Sequence, residues 1–378
     1  MKVISRKSLY RYITVILFVL LIIFLLYFSY NHTRERKEHF EIVQEKLDKF
    51  FDPKLDKDYG KYPVKHDNIF VSIGSYRDDE CSDTLSSLYD NADAPHNIFV
   101  GICSQNHPDV KKEECLPTDF KYVNNIRLDR MKHTDALGPN YARYKCSHLW
   151  RGEQYFLQID SHLKFKKGWD TIIKNMYKDL PPKSVLTHYP PAGMDSNPSY
   201  TCSSHYENNF HIISEASIIE PIKEPLITPY FSAGLFFSDA KVLYDVPFDP
   251  YVPYLFQGEE ILMATRLYTH GWDMYNLTEP ISTHNYDRDD KPKFWSDNAH
   301  KDWESVQEES NRRYYYIIGQ DIDVKPQFLY KVDKYGMGNK RTLQQYFNFA
   351  GIDTKNKTVE SRCGKKFNVS TQQWENLK

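Results

Sequence analysis

The sequence predicts an α/β fold with a mainly parallel sheet, carried behind an apolar N-terminal helix. Three observations predict it. From Asn68 onward, short β-rich runs alternate with helical tracts, the pattern of a parallel sheet covered by helices. Aromatic residues make up 15% of the 378 residues, with 29 Tyr and 22 Phe, enough large apolar side chains for a sizeable core. Residues 12–30, "YITVILFVLLIIFLLYFSY", carry no charge at all.

That uncharged run comes first in the chain. At 1.5 Å rise per residue it reaches about 28 Å, close to one hydrocarbon core. Lys2, Arg6, Lys7 and Arg11 precede it without an acid, so residues 1–11 read as a cytosolic tail. Arg34, Arg36 and Lys37 on the far side pull the other way. A cleaved signal peptide is the alternative, but the run is long for an h-region and no small-x-small site follows. The expectation is a transmembrane helix over 12–30 in a single-pass type II membrane protein. Its location would be the Golgi or another part of the secretory pathway, with the rest of the chain lumenal. Residues 31–67 then form a stem. "EHFEIVQEKLDKFF" within it has helical spacing, and Pro53, Gly60 and Pro63 break regular structure after it.

The globular part follows in order. "NIFVSIGSY" is a strand, "DDECSDTLSSLYDNA" a helix with acids at its start, and "HNIFVGICS" a second strand. "GPNYARYKCSHLW" opens on Gly-Pro and is spaced as a helix. "QYFLQID" is a third strand, "GWDTIIKNMYKDL" a helix closed by Pro181 and Pro182, and "KSVLTHY" a fourth strand. Residues 190–230, rich in Pro, Ser, Asn and acids, read as an insertion or long loop. "GEEILMATRLYTHGWDMY" is helical in its first half, ending at Gly271. From residue 301, "KDWESVQEESNRRYYYIIG" and "RTLQQYFNFAG" are helical tracts of a C-terminal lobe, 301–378.

Composition narrows the function. A formal net charge of −2 gives no electrostatic footprint for nucleic acid. The six cysteines form no CxxC pair, so a structural zinc site is not expected; they fit an oxidising compartment, and their pairing cannot be read from spacing. Four Asn-x-Ser/Thr sequons begin at Asn31, Asn276, Asn356 and Asn368, compatible with secretion.

Chemistry concentrates where apolar runs stop. "FLQIDSHLKF" ends its strand in Asp160, Ser161 and His162. Residues i and i+2 of an extended segment point to one side, so a carboxylate oxygen and an imidazole nitrogen can reach one ion. Such ligands suit Mn²⁺ or Zn²⁺, and Mn²⁺ tolerates the oxygens that a diphosphate adds. Ligands of α/β sheets gather at the carboxyl ends of strands, where Asp160 lies. Ser161 reads as a spacer. A lone DxH triplet is weak; its neighbours strengthen it.

"IFVSIGSYRDDEC", "NIFVGICSQ", "HTDALGPNYARY", "FLQIDSHLKF", "GWD", "FSAGLFFSDA", "PYLFQGEEILMATRLYTHGWDMY" and "THNYDR" follow one another. In this order they resemble the GlcNAc-transferase family that modifies hydroxyproline or Ser/Thr in proteins, itself similar at longer range to the mucin-type polypeptide GalNAc-transferases. The resemblance covers residues 68–300 and, more weakly, "NKRTLQQYFNFAGID". It implies a GT-A fold over 68–300: a Rossmann-like nucleotide-binding sheet joined to an acceptor-binding half. It further implies that Asp160, His162 and His284 hold a divalent metal, Mn²⁺ or another, on the diphosphate of UDP-GlcNAc. Ser72, Ser75, Tyr76 and Arg77 would cradle the uridine, and Arg143 would face the nucleotide or diphosphate beside Asp160. Glu259 and Glu260 would face donor sugar and acceptor. The activity implied is a metal-dependent, retaining transfer of N-acetylglucosamine to a protein hydroxyl, either by attack on the face of departure or by double displacement through Glu259 or Glu260. The N-terminal span departs from the family's cytosolic members and favours Ser/Thr of secretory proteins as acceptor. Two other readings stand beside it: another UDP-hexose donor, or a catalytically silent, membrane-tethered UDP-sugar-binding protein. Trp295, close after "THNYDR", is placed to act as a lid.

Overall fold

The computed structural model describes residues 17–31, 33–34, 49–194, 197–207, 211–298 and 303–377. The expected tail, the start of the apolar run and most of the stem helix lie outside them. The chain divides into two units, Met1–Asp52 and Pro53–Lys378. In the first, residues 17–31 are helical, with apolar side chains from Leu17 to Tyr30 exposed. Among the described residues no helix is long and apolar enough to cross a membrane.

The second unit is built in the order β1 (Lys65–Tyr76), α1 (Cys81–Asp90), β2 (Ile98–Asn106), β3 (Ile126–Lys132), α2 (Pro139–Ser147), β4 (Glu153–Ile159), β5 (Leu163–Phe165), α3 (Trp169–Tyr177) and β6 (Ser184–Thr187). It continues with β7 (Ser199–Glu207), β8 (His211–Ile218), β9 (Ile227–Thr228), β10 (Leu235–Asp239), α4 (Glu259–Thr269), β11 (Asp273–Tyr275) and β12 (Ser282–His284). Helices α5 (Phe294–Asp297), α6 (Trp303–Ile317) and α7 (Leu343–Ala350) follow. Eight strands form one sheet in the order β3-β2-β1-β4-β10-β6-β11-β9. Strands β1 to β4, β6 and β11 share one direction; β10 and β9 oppose it. The expected mixed α/β architecture with a large, mainly parallel sheet is the one observed.

Burial on both faces explains the continuous apolar runs of the central strands. In β1, Ile69, Val71 and Ile73 turn to one face, where they meet Leu85 and Leu88 of α1 and Trp169 and Ile173 of α3. Phe70 turns to the other, with Phe156, Phe236, Ile261 and Leu267 of α4, and Tyr346 and Phe347 of α7. Strands β1 and β4 are parallel neighbours, with Ile73 opposite Ile159. Sequential strands run outward from β1 on one side, while β4 begins the other side. Their carboxyl ends therefore flank the crevice where such sheets bind ligands.

Two points differ from the sequence reading. Residues 190–230 contain a β7–β8 hairpin, with Tyr200 opposite Ser217, and the edge strand β9. The β7 segment "SYTCSSHYE" is too polar to announce a strand; a Cys202–Cys363 disulfide and the burial of Tyr200 and Ile212 hold it. A second disulfide, Cys81–Cys115, fixes the start of α1, and Cys103 and Cys146 remain as buried thiols. Among the sequons, Asn276 is fully buried and cannot accept a glycan in the folded chain, whereas Asn356 is exposed.

Candidate active site

Three strand ends converge in the crevice. Asp160 follows β4, His162 lies two residues on, and His284 closes β12. β12 pairs antiparallel with β5, which sets His284 opposite Leu163 and so beside His162. The Nε2 atoms of the two histidines are 3.0 Å apart, and Nε2 of His284 is 3.3 Å from Oδ2 of Asp160. One ligand atom from each of the three lies within 4.8 Å of the others. Burial would raise the Asp160 carboxyl, but the two histidines and Arg143 hold it down at about 2, so it is ionised at any neutral pH. Nδ1 of His162 is 2.8 Å from Oδ2 of Asp78. An ionised carboxylate only accepts, so that nitrogen carries a proton, and in the neutral imidazole Nε2 is left with the lone pair. One carboxylate and two imidazoles form a donor set that fits Mn²⁺ or Zn²⁺, a cation taking the place of the His284 Nε2 proton that faces Asp160.

Arg143 ties this triad to α4. Helix α2 approaches β1 closely at Gly74, where an added Cβ would lie 3.3 Å from that of Ala142. The next residue, Arg143, thereby reaches over the strand ends. Its Nη1 donates to Oε2 of Glu259 at 2.6 Å, and its Nη2 lies 3.8 Å from Oδ1 of Asp160. Asn140 also donates to Glu259, at 2.8 Å. Burial raises the Glu259 carboxyl, and Arg143 opposes that rise.

Helix α4 can start where it does because Gly258 takes φ 88°, and any Cβ there would collide with the Tyr314 ring at 2.6 Å. Acids are favoured at this first turn by the helix dipole alone. Both, however, are bonded within the crevice. Glu260 accepts from the Ala233 backbone N–H at 2.8 Å and from the Tyr189 hydroxyl. Burial pushes its carboxyl up to about 7, partly offset by those two donors.

Two cavities meet at the triad. One of about 250 Å³ is lined by Gly74, Tyr76, Arg143, Asp160, Arg288 and Trp295, among others. The other, of about 500 Å³, holds Tyr189, Ile212, Ile213, Glu259, Glu260 and Tyr286, and shares Arg143, Asp160 and His162 with the first. Phe256 stands between them, 54% exposed, with its ring 6.1 Å from that of Trp295.

The sequence-predicted residues therefore separate into two sets. Tyr76, Arg143, Asp160, His162, His284, Glu259 and Glu260 all line this crevice. Ser72 and Ser75 are buried within β1 and line neither cavity. Arg77 does not face the crevice either. Its Nε donates to Glu113 at 3.0 Å and its Nη1 to Asp297 at 2.7 Å, and Tyr76 also donates to Asp297, at 2.8 Å. The pair thus fastens α5, and with it Phe294 and Trp295, across the end of β1. His188 is fully buried and, at about 3, held neutral by that burial. Asp78, Arg288 and Tyr189 were not given these positions by sequence.

The family model described as glycosyltransferase (GlcNAc) matches residues 68–122 and 111–356. No curated protein matches the sequence. Among solved structures, GalNAc-T7 with UDP, GalNAc and Mn²⁺ is similar, with a TM-score of 0.50 and 14% identity over 82% of this chain. This chain spans 64% of that one. TarS of S. aureus in complex with UDP-GlcNAc gives a TM-score of 0.41 and 14% identity, covering 68% of each chain. At such identity GalNAc-T7 speaks for the fold alone.

Proposed function

The chain belongs to the glycosyltransferase (GlcNAc) family, and from that premise we propose a metal-dependent, retaining transferase that moves N-acetylglucosamine from UDP-GlcNAc to a protein hydroxyl, on Ser, Thr or hydroxyproline. The observation that carries the proposal is the convergence of Asp160, His162 and His284 where two cavities meet. These three would hold Mn²⁺ or a similar cation, which supplies Lewis-acid neutralisation of the departing diphosphate. Arg143 and Arg288 flank the same point and would make charge-assisted bonds to phosphate oxygens. Tyr76, Phe294 and Trp295 would border the nucleoside, with Ser72, Ser75 and Arg77 supporting them from behind.

The larger cavity would take donor sugar and acceptor. Its two carboxyls have different surroundings, which separates their tasks. Glu259 touches a guanidinium and is suited to stabilise positive charge at the anomeric carbon. Glu260 has only neutral donors, keeps its proton up to about 7 and is suited to exchange a proton with a hydroxyl. The protein would be anchored through residues 12–30, with this unit lumenal in the secretory pathway. The uncharged run, the exposed apolar side chains from Leu17 to Tyr30 and two disulfides support that placement.

A UDP-release assay on the full chain tests the function. UDP-GlcNAc turnover should be stimulated by Mn²⁺, and the double substitution Asp160→Ala, His162→Ala should lower it by about 10²–10³-fold. Unchanged turnover in that variant would sink the proposal.

A further inference from the structure

We propose that Asp78 is a positioning residue that fixes the tautomer and aim of His162, an inference resting on the metal site proposed above. Asp78 is 2% exposed, and four donors fill its two oxygens. Oδ2 accepts from Ser161 Oγ at 2.6 Å and from His162 Nδ1 at 2.8 Å. Oδ1 accepts from Arg288 Nη1 at 3.2 Å and from the Glu80 backbone N–H at 3.0 Å. Asp78 also falls in a group of three acids with Asp79 and Glu80. With both oxygens taken by donors, its own task is to accept rather than to ligate.

The consequence follows from imidazole chemistry. A neutral imidazole carries one proton. With that proton on Nδ1, Nε2 offers a lone pair toward Asp160 and His284; with it on Nε2, no cation can bind there. Asp78 imposes the first state, and its neighbours lock Asp78 in place. Ser161 is therefore part of the device, not a spacer. Arg288 extends it to the loop behind His284, so the chain ends of β1, β4 and β12 are tied through one carboxylate.

Asp78→Asn is nearly isosteric but swaps one acceptor oxygen for an NH₂ among four donors. Whichever way the amide turns, a donor faces a donor, and turning its NH₂ to His162 favours the tautomer protonated on Nε2. The test measures Mn²⁺ affinity of the full chain by electron paramagnetic resonance, and the His162 tautomer in the metal-free protein by ¹⁵N shifts. Asp78→Asn should weaken Mn²⁺ binding by about 10–100-fold and populate the Nε2–H tautomer. Ser161→Ala, which removes one of the donors on Oδ2, should weaken Mn²⁺ severalfold and covers the case in which Asp78→Asn fails to fold. Mn²⁺ affinity within twofold of wild type in a folded Asp78→Asn, or in Ser161→Ala when Asp78→Asn does not fold, overturns the inference. Asp160→Ala is the control: if it too binds Mn²⁺ normally, the metal site itself falls.

Discussion

Glu260→Gln should stabilise the protein at alkaline pH while disabling it. The Glu260 carboxyl is pushed up to about 7 by burial, whereas in the unfolded chain it titrates at about 4.3. Between those values the folded protein holds a proton that the unfolded chain has released. Stability from this group therefore falls as pH rises through that window, and above about 7 the full penalty is present. At about 1.4 kcal/mol per pH unit the penalty is about 4 kcal/mol. Glutamine has no charge to bury. Its amide oxygen can accept from the Ala233 N–H, and its NH₂ can donate to the Tyr189 hydroxyl once that hydroxyl rotates. Urea unfolding of wild type and variant between pH 5 and 9, with disulfides intact, reads the difference. The variant should lie about 1 kcal/mol above wild type near pH 5 and about 4 kcal/mol above it by pH 8. UDP-GlcNAc turnover should drop in the same variant. Parallel stability profiles, or a variant less stable at pH 8, would refute the reasoning.

Two further outcomes follow from the geometry. Arg143→Met removes a cation that touches both Asp160 and Glu259. It should cut kcat/KM for UDP-GlcNAc by about 10²-fold and lower the urea midpoint, because an unpaired buried carboxylate costs about 3–5 kcal/mol until it takes up a proton. Replacing Cys202 and Cys363 by Ser opens a link across 161 residues and should lower stability by about 2–5 kcal/mol. KM for the acceptor should rise with it, because Ile212 and Ile213 of the tethered hairpin line the larger cavity.

How far the sequence reached depends on the range of each contact. Strands β1, β2, β4 and β6 were legible because burial on both faces forces contiguous apolar residues. Asp160 and His162 were legible because they end such a run with a two-residue period. His284 needed the ordered motifs as well, since its place beside His162 comes from β5–β12 pairing. Asp78 was not legible as a partner of His162. In "RDDEC" it reads as one of several acids before a helix, and its contact spans 84 residues. Arg77 was misplaced for a related reason. Sequence puts it at the mouth of β1, but a positive φ of 47° and two distant carboxylates turn it away. The β7–β8 hairpin left no pattern because several of its buried positions are polar, Ser199, Thr201 and Ser204 among them, and a disulfide to a distant residue helps hold it.

The pairing of β5 with β12 has a temporal consequence. His284, 122 positions after His162, joins it only once the chain between them has been laid down and the ribbon has closed. Contacts of such long sequence separation form late, since loop closure must come first. A cation that needs both imidazoles can therefore be captured only by a chain in which the β5–β12 ribbon has already closed. Metal uptake would act as a checkpoint, reporting that the last strand of the crevice has found its register. A nascent or truncated chain ending before β12 would carry Asp160 and His162 and still be unable to load.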